Sequence, residues 1–226
     1  FDAGAFGNRL KPEDAYRFAK GEQLTSTGGI PVRLSRPLDF LVVADHSDNM
    51  GLFTRIFEGH PDILGDPEGR RIYDMIQSGG QEAVKASVEL IDAFSKGVSI
   101  SDALAVEPGT PAFRDTWEHI IGAAEEANDP GRFTAFIGYG WTSQVPPGNK
   151  LHRVVVYRDS AAKASQTVPF TTYPPDGSTN PEDLWRVLEA YEEKTGGDVL
   201  AIAHNGNLSN GMMFPLVNPV GNEPLT

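Results

Sequence analysis

The sequence has no cysteine and no long apolar run, and each absence excludes a class of structure. Without cysteine the 226-residue chain forms neither a disulfide nor a thiolate metal site. Histidine, aspartate and glutamate are therefore its only strong metal ligands. The longest apolar runs, such as residues 40–44, are far too short to cross a bilayer. We predict no membrane span.

Positive charge is also scarce. There are 19 Lys and Arg against 31 Asp and Glu, which gives a formal charge of −12. A chain this acidic binds the phosphate backbone poorly, so we expect no nucleic-acid partner. Hydrophobic residues make up 39% of the sequence, which is enough to build a core.

Apolar strands and amphipathic helices alternate along the chain. Strands are predicted at residues 38–44, 133–139, 154–157 and 198–203, and helices at 12–20, at 49–57, around 84–94, after Thr110 and after Asn180. Continuous apolar strands are typical of strands buried on both faces. A stretch rich in Gly, Pro and Asp at 59–69 is predicted to be a loop. This order favours an α/β protein with a mostly parallel sheet, either a barrel or an open sheet.

Two of the predicted strands run directly into histidine and polar residues. Asp45, His46 and Asp48 follow the first strand, and His204 follows the last. Ligands gather at the carboxyl ends of strands in parallel α/β folds, and His and Asp side chains there can bind divalent metal. The alternative is that these residues only cap strands and helices.

A predicted hairpin brings a third histidine to the same end of the sheet. Its turn centres near Pro147, so residues 151–154 lie opposite residues 139–142. His152 is therefore expected at the same end of the sheet as Gly140, although it begins its own strand. The alternative is a half-exposed strand residue without a role.

The segment at 45–48 that follows the first predicted strand, and the Ala203–His204 pair that ends the last one, resemble motifs of the PHP (polymerase and histidinol phosphatase) superfamily. The segments at 1–9, 36–48, 136–143 and 203–207 are more closely similar to an uncharacterised bacterial, DUF3604-like branch of it. The resemblance covers most of the chain. It implies a distorted (β/α)7 TIM-like barrel, present in part, with two or three divalent metal ions (Zn, Mn or Fe) at its mouth.

The resemblance also implies an activity and roles for individual residues. Members of the superfamily hydrolyse phosphate esters with a metal-activated water, so a small anionic ester is the expected substrate. The implied metal ligands are His46, His152, His204 and Asp45; the implied catalytic residues are Asp45, Asp48 and His152; the implied substrate-binding residues are Asp2, Asn205 and Asn207.

The family pattern and this sequence differ at three places. A His-x-His pair is expected just before Phe1, and an Asp-x-His motif beyond Thr226. The family has a metal-bridging glutamate where this chain has Gly140. We therefore expect a single PHP-like domain at 1–226 that is incomplete at both ends and holds about half a site. An exported protein is slightly favoured over a cytoplasmic one.

Two further functions remain open from the sequence. In the first, the chain is a non-catalytic relative that retains His46 and His204. With Gly140 it no longer assembles a reactive metal pair and acts as a ligand-binding or regulatory module. A weaker hypothesis is a carbohydrate-active barrel that uses carboxylate pairs. In that case Tyr139, Trp141 and Trp185 are the candidate sugar-stacking residues.

Overall fold

The computed structural model describes residues 2–214, without the side chain of Asp2. The substrate-binding role predicted for Asp2 therefore lies outside the described residues. The helices are α1 (Asp2–Ala5), α2 (Pro12–Ala19), α3 (Leu52–Glu58), α4 (Pro61–Gly65), α5 (Pro67–Ser78), α6 (Gly80–Ser95), α7 (Pro111–Ala127), α8 (Ala161–Ala164) and α9 (Pro181–Thr195). The strands are β1 (Leu24–Thr25), β2 (Pro31–Val32), β3 (Phe40–Val42), β4 (Thr134–Trp141), β5 (Gln144–Val145), β6 (Asn149–Lys150), β7 (Arg153–Tyr157) and β8 (Val199–Ala203).

The main sheet has four strands in the order β3-β4-β7-β8. β3 pairs with β4 in parallel, whereas β7 is antiparallel to both of its neighbours. β3, β4 and β8 consequently run in the same direction. The prediction of a mostly parallel sheet is wrong, because two of the three pairings are antiparallel.

The predicted distorted (β/α)7 barrel is wrong for the part of the chain that the structure describes. Residues 2–214 form this four-stranded sheet and two separate two-stranded sheets, and none of them closes on itself. The chain returns from β4 through a hairpin, so β7 lies directly beside β4 instead of reaching the next parallel position by a helix. The sheet is left with two edges, β3 and β8.

One face of the sheet packs against the helices. The Trp117 ring on α7 meets the Tyr139 ring of β4 edge-on at 6.1 Å, and Tyr191 on α9 meets Tyr157 of β7 at 4.9 Å. The stripe predicted for α7 is confirmed, since all of its members are buried: Phe113, Trp117, Ile120, Ile121 and Ala124. Aromatic contacts of this kind join the helix layer to the sheet.

The opposite face of the sheet is apolar and much more exposed. Phe40 is 63% exposed, Leu200 60% and Ile202 48%. In the register, Val154 pairs with Ile202 and Val156 with Leu200, so these side chains form two cross-strand pairs on β7 and β8. The strands have the apolar composition of strands that are buried on both faces, but residues 2–214 cover only one face of the sheet.

The region at 59–69, predicted to be a loop, instead contains α4 and the start of α5. Pro61 and Pro67 occupy the first turns, where a missing N–H costs nothing. The Asp66 side chain caps α5 by accepting a hydrogen bond from the Gly69 amide at 2.7 Å. Prolines that normally mark loops therefore begin helices here.

The helix predicted around 84–94 is confirmed as α6. Val84 and Val88 are 63% and 58% exposed, whereas Ala86 and Leu90 are fully buried. α6 packs mainly on α5, so the position of that neighbour decides which face is covered.

Candidate metal centre

Three histidines meet at one edge of the main sheet because of the strand directions. β3, β4 and β8 end at this edge and β7 begins there. His46 follows β3, His152 precedes β7 and His204 follows β8. The His204 amide donates to the His152 carbonyl at 3.0 Å, and His46 forms a bridge with Gly140. The predicted hairpin is present and brings His152 to this end of the sheet, but its register is shifted by one residue, since Gly140 pairs with Val154.

The imidazole rings of these three residues are neighbours, and we call them the three-histidine cluster. The ring centroids of His46 and His152 are 5.4 Å apart, and those of His152 and His204 are 6.4 Å apart. His152 is 4% exposed and stands between the other two. The strand ends therefore bring together the three histidines that the family resemblance named as ligands.

The distance between two of the rings in the cluster fits a metal ion bound by both imidazoles. With Zn–N distances of about 2.0–2.1 Å, two imidazoles on one tetrahedral ion have ring centroids roughly 5 Å apart. The His46–His152 pair matches this spacing, whereas His204 stands farther out. In residues 2–214 no group of three or more His, Asp or Glu side chains is arranged to hold a metal ion. The ring spacing therefore fits a two-imidazole site, with the His204 ring farther from it.

Burial keeps His46 in the form that binds metal. Burial, together with a smaller contribution from nearby positive charge that includes Lys150, lowers the pKa of His46 to about 3. A neutral imidazole has a lone pair for a cation across the physiological range. Lys150 was not predicted as a site residue, although its position two residues before His152 was a signal for it.

Asn205 and Asn207, both predicted to bind substrate, have different environments. The Asn205 amide nitrogen lies 3.2 Å from Nδ1 of His152, and the residue has a φ of 61°. Asn207 is exposed, in the short 3₁₀ helix Gly206–Leu208. The structure thus places Asn205 against a histidine ring.

Asp48 holds a loop rather than joining the cluster. Its carboxylate accepts hydrogen bonds from the Thr172 amide at 2.9 Å and from the Thr172 hydroxyl at 2.5 Å. Burial raises the pKa of Asp48, against the effect of these bonds. The contact joins the end of β3 to a segment 124 residues away, which is a structural role.

Asp45 lines a cavity that none of the three histidines lines. The cavity has a volume of about 560 Å³ and lies beside α3 and α7. Arg9, Phe57 and Arg55 share its wall, and the Arg9 guanidinium lies 3.2 Å from the centroid of the Phe57 ring. Asp45 and His46 are consecutive, and side chains alternate along an extended chain, which explains why they face different surroundings.

Comparison with known proteins gives a family and no activity. The model of the family described as "Protein of unknown function (DUF3604)" matches residues 1–225. The chain belongs to the DUF3604 family. No curated protein and no solved structure matches this DUF3604 chain.

The aromatic residues considered for sugar stacking in this DUF3604 chain have mostly core positions. Trp141 and Tyr139 are 0% and 1% exposed, whereas Trp185 is 42% exposed. The Trp185 ring faces the Arg153 guanidinium at 5.6 Å.

None of the helices within residues 2–214 has the length and apolar character needed to cross a membrane.

Proposed function

We propose that this DUF3604 chain belongs to the PHP superfamily and is a divalent-metal-dependent hydrolase of phosphate esters. The observation that supports the proposal best is the 5.4 Å spacing of the His46 and His152 rings. A half-buried imidazole that is kept neutral and a buried one, at this separation, match a shared metal ion. The metal ligands in this proposal are His46, His152 and His204.

A bound divalent cation supplies a water of lowered pKa and neutralises charge on a phosphoryl group. The residues of the chain provide the remaining functions. The imidazoles favour Zn²⁺, Mn²⁺ or Fe²⁺ over Ca²⁺, which prefers oxygen ligands. The Lys150 ammonium, whose charge acts on His46, favours an anionic ester near the cluster.

Calorimetric titration tests the metal site directly. Zn²⁺ and Ca²⁺ are titrated into the 226-residue chain and into its His46→Ala and His152→Ala variants. We expect weak Zn²⁺ binding that falls by at least about 10-fold in each variant, since even losing a group that orients a ligand costs roughly 10–100-fold. Ca²⁺ should bind more weakly than Zn²⁺.

His119→Ala is the matched control for this titration. His119 is a half-exposed histidine on α7 that pairs with Glu13 at 2.6 Å. Its replacement should leave Zn²⁺ affinity unchanged. Equal affinities in all four proteins would place the metal elsewhere. Hydrolysis of a chromogenic phosphate ester by the Zn²⁺-loaded chain then tests the reaction.

A second candidate function is the binding of a small anion without catalysis, and the cavity beside Asp45 favours it. Its volume of about 560 Å³ suits a small ligand. Arg9, Lys11 and Arg55 line it, with Lys11 paired to Glu58 and Arg55 to Asp62. Arginine donates paired hydrogen bonds to carboxylate or phosphate. Saturable binding of inorganic phosphate to the metal-free chain, weakened in Arg9→Ala, would support this function.

A further inference from the structure

Asn205 makes a contact that its substrate-binding assignment does not explain. The residue ends the extended chain of β8 in the left-handed region, with a φ of 61°. Asparagine is one of the few residues with a side chain that adopts this conformation readily. The turn begins the 3₁₀ helix Gly206–Leu208, and the Asn205 amide lies 3.2 Å from Nδ1 of His152.

The same turn is tied to His152 by the backbone. The His204 amide donates to the His152 carbonyl at 3.0 Å, so the end of β8 and the start of β7 are joined beside the ring. Asn205 is half-buried and His152 almost fully buried. The ring is therefore held by a side-chain contact on Nδ1 and by a backbone bond at its own residue.

The contact on Nδ1 decides which ring nitrogen is left for a metal. A neutral imidazole carries one proton, and a ring that binds metal through Nε2 carries that proton on Nδ1. The Asn205 amide oxygen can accept a hydrogen bond from this N–H. With the amide nitrogen toward Nδ1, as the side chain stands, the amide donates and the proton belongs on Nε2. Rotation of the amide about its Cβ–Cγ bond exchanges the two arrangements within the same volume.

We propose that Asn205 is a positioning residue that orients the His152 ring and selects its tautomer, so that metal binds through Nε2. The functional meaning of this role rests on the proposed metal site. The tautomer itself is a property of the metal-free protein, so the two proposals can fail separately.

Two substitutions separate the amide from the backbone turn. Asn205→Gly removes the amide and keeps a residue that tolerates positive φ. Asn205→Asp keeps the size and offers acceptors only, which places the proton on Nδ1. Asn210→Gly is the matched control, because Asn210 is exposed and also has a positive φ, of 54°.

The readouts are the ¹⁵N shifts of the His152 ring in the metal-free chain and the Zn²⁺ affinity by calorimetry. We expect the Nδ1–H tautomer in the parent and in Asn205→Asp, and a mixture of tautomers in Asn205→Gly; a parent with the proton on Nε2 would overturn the proposal. Zn²⁺ affinity should fall roughly 10-fold in Asn205→Gly and be retained in Asn205→Asp. Asn210→Gly should match the parent in both measurements.

An unchanged tautomer in Asn205→Gly would overturn the proposal, whatever the Zn²⁺ affinity. So would Asn205→Asp with the proton on Nε2. If the parent chain binds no Zn²⁺ but the tautomer responds as expected, the positioning role stands and the proposed metal function fails. A two-dimensional amide spectrum of each variant shows whether it keeps the parent fold.

Discussion

Gly140 is the position at which the cluster differs most from the family pattern. Its amide donates to the Asp45 carbonyl at 2.7 Å, and its carbonyl accepts from the Ser47 amide at 2.8 Å. A Cβ added at this position would lie 3.1 Å from the Ala44 carbonyl oxygen, which is tighter than an ordinary contact. The backbone is thus close enough that a side chain here requires a small shift of residues 44–45.

Gly140→Glu should raise Zn²⁺ affinity, because a carboxylate beside His46 adds a charged ligand that hard and borderline cations favour. Calorimetry measures the affinity, and a chromogenic phosphate ester measures the rate. Gly140→Ala is the control, since it introduces the same Cβ without the carboxylate. If both variants bind Zn²⁺ equally and neither gains turnover, the glutamate does not complete this site.

At the scale of elements, α5 and α6 are joined by a two-point ion pair. Arg71 on α5 donates to the two Glu89 carboxylate oxygens on α6 at 2.5 and 3.1 Å, and also contacts Glu68 at 2.8 Å. Hydrogen bonding to Arg71 lowers the pKa of Glu89. The two side chains are 39% and 41% exposed, so water screens their attraction.

Glu89→Gln should destabilise the fold by less than about 1 kcal/mol at neutral pH. A depressed folded-state pKa stabilises the protein above the unfolded value and stops doing so as the pH falls through the folded value. The difference between parent and variant should therefore shrink in acid, as Glu89 of the folded parent protonates. Urea unfolding at neutral and acidic pH measures it. Glu82→Gln, on the same helix but paired only with Lys85, is the control; a difference that grows in acid would contradict the assignment.

For the whole molecule, one core joins elements that are far apart in sequence. The buried cluster extends from Ala5 to Tyr191 and includes residues of α2, α3, α5, α7, α9 and the main sheet. Since these elements share one core, we expect residues 2–214 to unfold as one unit.

The test is thermal unfolding of the 226-residue chain followed by calorimetry and by Trp fluorescence. The two probes should give the same midpoint, and the calorimetric and van't Hoff enthalpies should agree. Excess Zn²⁺ should raise that midpoint, because a ligand that binds only the folded state stabilises it. Two separate transitions would show that part of the chain unfolds independently of this core.

The features predicted correctly depend on residues close in sequence, and those predicted incorrectly depend on residues far apart in sequence. The stripe of α7 and the capped start of α9 at Asn180 depend on local periodicity and capping, and both are present. The buried face of α6 depends on its neighbour α5, which the periodicity of the sequence does not specify. Asp45 was grouped with His46 because they are adjacent, although the alternation of an extended chain was a signal that they face different surroundings.

The sequence by itself determined most of the element types, the presence of the hairpin and the placement of His46, His152 and His204 at strand ends. These follow from side-chain periodicity, turn residues and strand direction, which are local properties of the chain. The tertiary structure decided that the main sheet keeps two edges, that Asp48 binds Thr172 and that Asn205 lies against His152. Those outcomes join residues from 53 to 124 positions apart, and the packing of the whole chain selects such contacts.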